Sequence, residues 1–266
     1  MTARERLAYY ASAFPLTEVT TTYRFPPTPE LAAQWAERTP PGFTFDVRAW
    51  SLLSGAPTLP SSLWPDLHDQ IRARSRDRRR LYAAHLSDEA LAECWARFAH
   101  ALGPLRAAGR LGVVTVGYPG WFTPREEAWA ELASLAGRLP GCQVAVDLHN
   151  PRGFAGEACD RTLEWLEDHG LGFLCVEDPE GGPAGAPAVV AATSEVAMVR
   201  LAGRRATEVG AWEPRHRYPI GRLEEWVPRI ADLAESSSAV HVVFDNAWRA
   251  DAVADASELR RLLAAT

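Results

Sequence analysis

Short, nearly continuous apolar runs alternate with longer stretches of helical periodicity along this 266-residue chain. Strands that are apolar on both faces belong in a parallel sheet covered by helices, because each parallel pairing needs a crossover long enough to hold one. Seven such runs are legible: Leu16–Thr22, Phe43–Ala49, Leu111–Val116, Val144–His149, Leu171–Val176, a run from Val196, and Val240–Asp245. Helical spacing covers residues 2–14 and a segment opening at Thr28-Pro29-Glu30, then Ser87–Arg106, Thr123–Gly137, Glu157–His169, Arg222–Glu235 and Ala250–Ala264. Thr28 suits an N-cap with Pro29 at the first helical position, and Pro40-Pro41-Gly42 stops that helix. Thr123-Pro124-Arg125-Glu126 reads as a capping box, Gly170 as a helix stop, and Pro228 as a kink or a true helix start. No glycine-rich phosphate loop follows an early strand, which weakens a doubly wound sheet. The pattern predicts an α/β fold, a TIM-barrel-like (β/α) barrel over residues 1–266 as one domain, with seven strands visible and the first of eight missing. Residues 51–86 form an irregular Pro/Ser- and Arg-rich insertion.

With 47% apolar residues the chain can bury a sizeable core, and a net charge of −6 argues against nucleic-acid binding through bulk charge. Cys94, Cys142, Cys159 and Cys175 are widely spaced with no CxxC pair. In a chain with no signal-like start they read as reduced, mostly buried thiols of a cytoplasmic protein. No apolar run is long enough to span a bilayer, so no membrane partner is expected.

Chemistry in an α/β barrel sits at the C-terminal ends of the strands. The stretch from Glu195 to Arg204 delivers Arg200, Gly203 and Arg204 at such an end, and two guanidiniums there can clamp a phosphate or carboxylate bidentately. Strand residues two apart share a face, which pairs Asp147 with His149 and Glu18 with Thr20. If those faces line the barrel, Glu18, Asp147, His149, Glu177, Arg200 and Asp245 converge at its mouth. Carboxylates around a histidine can divide acid and base roles, which makes Asp147, His149 and Glu177 the candidate catalytic residues. No cofactor motif is legible, but Asp147, His149 and Asp245 offer oxygen and imidazole donors suited to a divalent metal. A buried ion-pair network, with Arg200 balancing the carboxylates, explains the same residues without a reaction.

Trp121, Trp212 and Trp248 fall in or beside loops after strands, where an indole can stack on a ligand ring. Trp35, Trp95, Trp129, Trp165 and Trp226 fall within helices and suit the core. The run Arg72–Arg80 carries no interleaved aromatics and reads as a solvated face or a disordered loop rather than a nucleic-acid contact. His68, His85, His100, His169 and His216 show no ligand spacing and suit surface or capping positions.

Several stretches, in order, resemble the YecE-like proteins (domain of unknown function 72). They are Phe25-Pro26-Pro27-Thr28-Pro29-Glu30, the segment Trp35–Phe43, Gly120-Trp121-Phe122-Thr123-Pro124, Val176-Glu177-Asp178-Pro179, Thr193-Ser194, the segment Val199–Arg204, and Phe244-Asp245-Asn246. The resemblance implies an α/β barrel that opens with a first strand, so either the start lies upstream of Met1 or this barrel lacks a stave. An open edge there would favour self-association. Glu18, Arg200, Gly203, Arg204 and Asn246 match the polar residues that the family tends to carry. Gly117 stands for a glutamine, Asp147-Leu148-His149 for a Glu-x-Arg and Ala202 for a histidine. The substrate-binding candidates are therefore Glu18, Arg200, Arg204, Trp121 and Asn246. Together these residues suit an enzyme acting on a phosphorylated or other anionic small molecule at the C-terminal mouth. The alternatives are a metal-dependent nucleic-acid-processing barrel and a non-catalytic binding or assembly barrel.

Overall fold

The structure is a computed structural model that describes residues 2–123, 125–149, 153, 156–177, 189–203, 216–246 and 248–266. They divide into two compact units, Met1–Asn150 and Pro151–Thr266.

The first unit opens with α1 (Ala3–Ala13), held by a capping box in which Thr2 and Glu5 satisfy each other's backbone N–H. Strand β1 (Leu16–Val19) ends three residues before the sequence suggests. The chain instead enters a 3₁₀ turn, Thr21–Tyr23, because the Thr22 hydroxyl bonds the carbonyls of Val19 and Arg48 at 2.8 and 2.6 Å. Helix α2 (Pro29–Glu37) begins as expected, with Thr28 accepting the Leu31 N–H at 3.2 Å. After β2 (Thr44–Arg48), residues 51–86 are ordered into successive 3₁₀ turns tied by antiparallel bridges Thr58–Leu81 and Ile71–Leu86. They bury Leu52, Leu53, Leu63, Leu67, Leu81 and Leu86, while Arg72, Arg74, Arg76, Arg78, Arg79 and Arg80 all face solvent. Helices α3 (Asp88–Ala101) and α4 (Gly103–Ala107) divide at Leu102, where Pro104 removes a backbone donor. Strand β3 (Leu111–Tyr118) leads to α5 (Glu126–Ala133), α6 (Leu135–Arg138) and β4 (Gln143–Leu148). The expected capping box at Thr123 does not form. Arg125 is the N-cap of α5 without a side-chain bond, and the Thr123 hydroxyl accepts from Arg125 Nε at 2.6 Å instead.

Strands β1 to β4 pair in parallel in chain order. Phe45 stacks on Trp35 of α2 with ring centroids 6.2 Å apart, so the alternate residues of β2, Asp46 and Arg48, face away from that helix. Register carries this second face across the sheet: Glu18 lies beside Asp46, Arg48 beside Thr115, and Gly117 beside Asp147. Between Phe45 and Val47 the register slips by one residue, and the extra residue on β3 would leave an N–H out of the ladder. Asp46 Oδ1 accepts that N–H, from Val113, at 2.8 Å.

The second unit contains α7 (Glu157–Asp168), β5 (Gly172–Glu177), β6 (Val196–Leu201), α8 (Ile220–Ser236), β7 (Ala239–Phe244) and α9 (Asp251–Leu263). Its strands also pair in parallel and in chain order. Thr193 fixes the start of β5, accepting from Phe173 N and donating to Leu171 O, both at 2.7 Å. Pro228 lies inside α8, which begins at Ile220, so it does not mark the helix start. Met198, Val199 and Leu201 of β6 and Leu223, Trp226 and Leu233 of α8 are buried. Among the described residues no helix is long and apolar enough to cross a membrane, and all four cysteines are free.

Candidate functional site

In the first unit the sheet face turned from α2 is polar where a barrel interior is ordinarily filled by branched apolar side chains. It carries Glu18, Asp46, Arg48, Thr115 and Asp147, of which Asp46, Thr115 and Asp147 are buried. A buried charge is costly unless partnered, and each carboxylate has a partner. Glu18 Oε1 accepts from Thr115 Oγ1 at 3.2 Å, and Asp46 holds the bulge. Asp147 Oδ1 lies 3.2 Å from His149 Nε2, with the carboxylate side chain 3% exposed and the imidazole 37% exposed. The two-residue spacing at the end of β4 thus produces the expected pair, a buried carboxylate orienting a solvent-accessible imidazole. Gly117, beside Asp147, leaves space over the carboxylate: a Cβ there would stand 3.8 Å from its Oδ2.

Arg48 ends β2 on this same face and was not legible as a site residue. Its guanidinium lies over the Tyr23 ring, 4.9 Å from the centroid, and makes no ion pair among the described residues. Trp121, in the turn after β3, is 59% exposed. Gly120 brings that turn against the His149 main chain, since a Cβ on it would stand 3.5 Å from the His149 carbonyl oxygen.

In the second unit Glu177, Arg200 and Asn246 are buried at the ends of β5, β6 and β7. Arg222, in the first turn of α8, contacts Glu177 Oε1 at 2.5 Å. Burial alone would lower the Arg222 pKa, but the Glu177 and Glu225 carboxylates together outweigh it and raise it. Asn246 Nδ2 donates to His216 O at 2.6 Å and to Asp255 Oδ2 at 2.7 Å. Asp255 also accepts the Tyr218 N–H at 3.2 Å, and the Tyr218 hydroxyl accepts the Gly203 N–H at 3.0 Å. This knot ties the ends of β6 and β7 to α9. Burial raises the pKa of both Tyr218 and Asp255. Gly203 belongs in the knot for two reasons: its φ is +72°, and a Cβ there would lie 3.1 Å from Asn246 Cβ. Glu177 Oε2, Asn246 Oδ1 and His216 Nε2 are buried without a hydrogen-bond partner among the described residues. His216 is therefore not the surface or capping residue its spacing suggested; its ring packs edge-on against Tyr218 at 4.6 Å. Arg204 and Trp212 lie outside the described residues. Asp245 follows β7 and donates its N–H to Leu201 O at 2.9 Å, and Trp248 is half-buried.

Among the described residues no group of three or more His, Cys, Asp and Glu side chains is placed to hold a metal ion. Arg72 and Arg76 serve the fold of their own segment by bonding the carbonyls of Leu86, Ile71 and Asp69. A groove of about 680 Å³ between α3, α4 and α6, bordered by Trp95, Arg106 and Arg138, lies apart from the strand-end residues. There Arg138 is engaged by Glu131 and stands over Trp95.

Strands that pair in parallel and in chain order within each unit, with helices following β1, β2, β3, β4, β6 and β7, define an α/β protein of the TIM-barrel-like class. The model of the family described as "Protein of unknown function DUF72" matches residues 1–266, and the chain belongs to that family. It is 22% identical over 273 residues to the UPF0759 protein YunF of Bacillus subtilis strain 168, covering 98% of this chain and 87% of that protein. The fold is similar to that of the DUF72 family protein EF0366 of Enterococcus faecalis V583, with a TM-score of 0.79 and 21% identity, covering 99% of this chain and 95% of that one. It is also similar to TM1631 of Thermotoga maritima MSB8, with a TM-score of 0.72 and 21% identity, covering 99% and 91% of the two chains.

Proposed function

We propose that the protein is a cytoplasmic enzyme that moves a proton on a small anionic molecule bound at the C-terminal strand ends of its first unit. The observation that carries this reading is the Asp147–His149 pair, a buried carboxylate 3.2 Å from an imidazole that substrate can reach. In this reading His149 is the acid–base group, and Asp147 fixes the orientation of its ring. Arg48, with no carboxylate partner among the described residues, holds the anionic group, and Glu18 contributes a polar contact beside it. Glu177 is engaged by Arg222 through one oxygen, and its other oxygen is buried without a hydrogen-bond partner among the described residues.

A thermal-shift panel of inorganic phosphate, sugar phosphates, nucleoside monophosphates and dicarboxylates tests the reading. A ligand at about a hundred times its Kd adds roughly 2.7 kcal/mol to stability. One anionic class should raise the Tm of the wild type and leave Arg48→Ala unshifted. His149→Asn should retain the shift while turnover of that class, followed by mass spectrometry, falls about 10²- to 10⁴-fold. No shift with any anion, or equal shifts in Arg48→Ala, would remove the anion site from the account.

A further inference from the structure

The anion reading leaves the exposed indole of Trp121 unused. A tryptophan 59% exposed forgoes much of the burial that makes the residue valuable in a core. It is also held in place. Phe122 turns inward and stacks on Tyr118 with centroids 4.2 Å apart, and its N–H closes the turn onto Pro119 O at 2.8 Å. The far edge of the indole rests at Gly55, where a Cβ would meet Trp121 Cη2 at 3.4 Å. Gly55 itself needs the left-handed backbone, with φ +68°. One aromatic of the turn is therefore half-buried against Tyr118 and its neighbour presented, with one edge seated and most of the ring surface open. Gly120 sets the same turn against the main chain of His149.

We infer that Trp121 is a stacking platform, and that the substrate carries a planar heteroaromatic ring as well as an anionic group, as a nucleoside monophosphate does. This inference rests on the anion reading above and adds the ring to it. An indole face accepts any flat π-system, so the platform selects for a base without choosing among bases. The sugar and phosphate lead from the ring to Arg48, and His149 stands beside the turn.

Isothermal titration of wild type, Trp121→Ala, Trp121→Phe and Arg48→Ala with the four common nucleoside monophosphates, ribose 5-phosphate and inorganic phosphate separates the two ideas. Nucleoside monophosphates should bind the wild type more tightly than ribose 5-phosphate. Trp121→Ala should weaken them about 5- to 150-fold without changing ribose 5-phosphate binding, and Trp121→Phe should keep most of the affinity. Arg48→Ala should weaken every phosphate. Equal affinity for nucleotides and ribose 5-phosphate, or a silent Trp121→Ala, overturns the platform while the anion site stands. No binding of any of these phosphates to folded wild type also overturns it, and the dicarboxylates of the wider panel then decide the anion reading separately.

Discussion

Gly112 and Asp46 show how much of the first unit depends on single atoms. A Cβ on Gly112 would fall 2.3 Å from Asp46 Oδ1 and 2.5 Å from Thr44 Cγ2, so the carboxylate that closes the bulge occupies the glycine's side-chain space. Gly112→Ala should cost about 1–3 kcal/mol or more by overpacking, read as a lowered urea midpoint. Asp46→Ala should cost about 1–3 kcal/mol by leaving the Val113 N–H unpaired, and an unchanged midpoint would show that this bond does not hold the register. The Asp147–His149 pair was legible in the sequence because strand periodicity alone puts both side chains on one face. Arg48 was not, since an arginine ending a strand looks like any surface arginine until register shows which face it joins. The partnership of Glu177 with Arg222 spans 45 positions and has no local signature at all.

At the scale of the element, periodicity and caps located most strands and helices, and the misses have local causes. A threonine hydroxyl ended β1 early, and Arg125, rather than Thr123, took the N-cap of α5. Residues 51–86 carried no helical or strand period, yet their leucines pack 3₁₀ turns that no pattern of 3.6 or 2 reveals. Helix α3 is a clean case: Ser87 Oγ accepts the Ala90 N–H at 3.1 Å, and Ser87→Ala should cost about 1 kcal/mol in urea melts. Helix α9 makes stability depend on pH. Burial raises the Asp255 carboxyl above its ordinary 3.8, so its contribution is complete below that value and declines as pH rises through the folded pKa. Asp255→Asn keeps an oxygen for Asn246 and Tyr218 but does not titrate. Its stability relative to wild type should therefore improve from acid toward neutral pH, and a steady relative loss across that range would show that Asp255 is not raised.

For the whole molecule, composition anticipated a well-filled core, and the thiols measure it. Burial pushes Cys94 up to about 12 and Cys175 to about 11, whereas Cys142 and Cys159 are half-exposed. At pH 8 a thiol reagent should label Cys142 and Cys159 first, with Cys94 and Cys175 following at the pace of unfolding; four equal fast rates would deny that core. Composition could not supply the polar face, because acidic residues scattered over a hundred positions meet only when the strands pair. The central claim is that an anion binds at those strand ends. The measurement that tests it most directly is an amide and indole NMR titration of the wild type with inorganic phosphate, ribose 5-phosphate and then the dicarboxylates. Shifts centred on Arg48, on residues 117–121 and on residues 147–149 are the predicted result. No shifts with any of these probes, or shifts confined to the groove bordered by Trp95, Arg106 and Arg138, would contradict it.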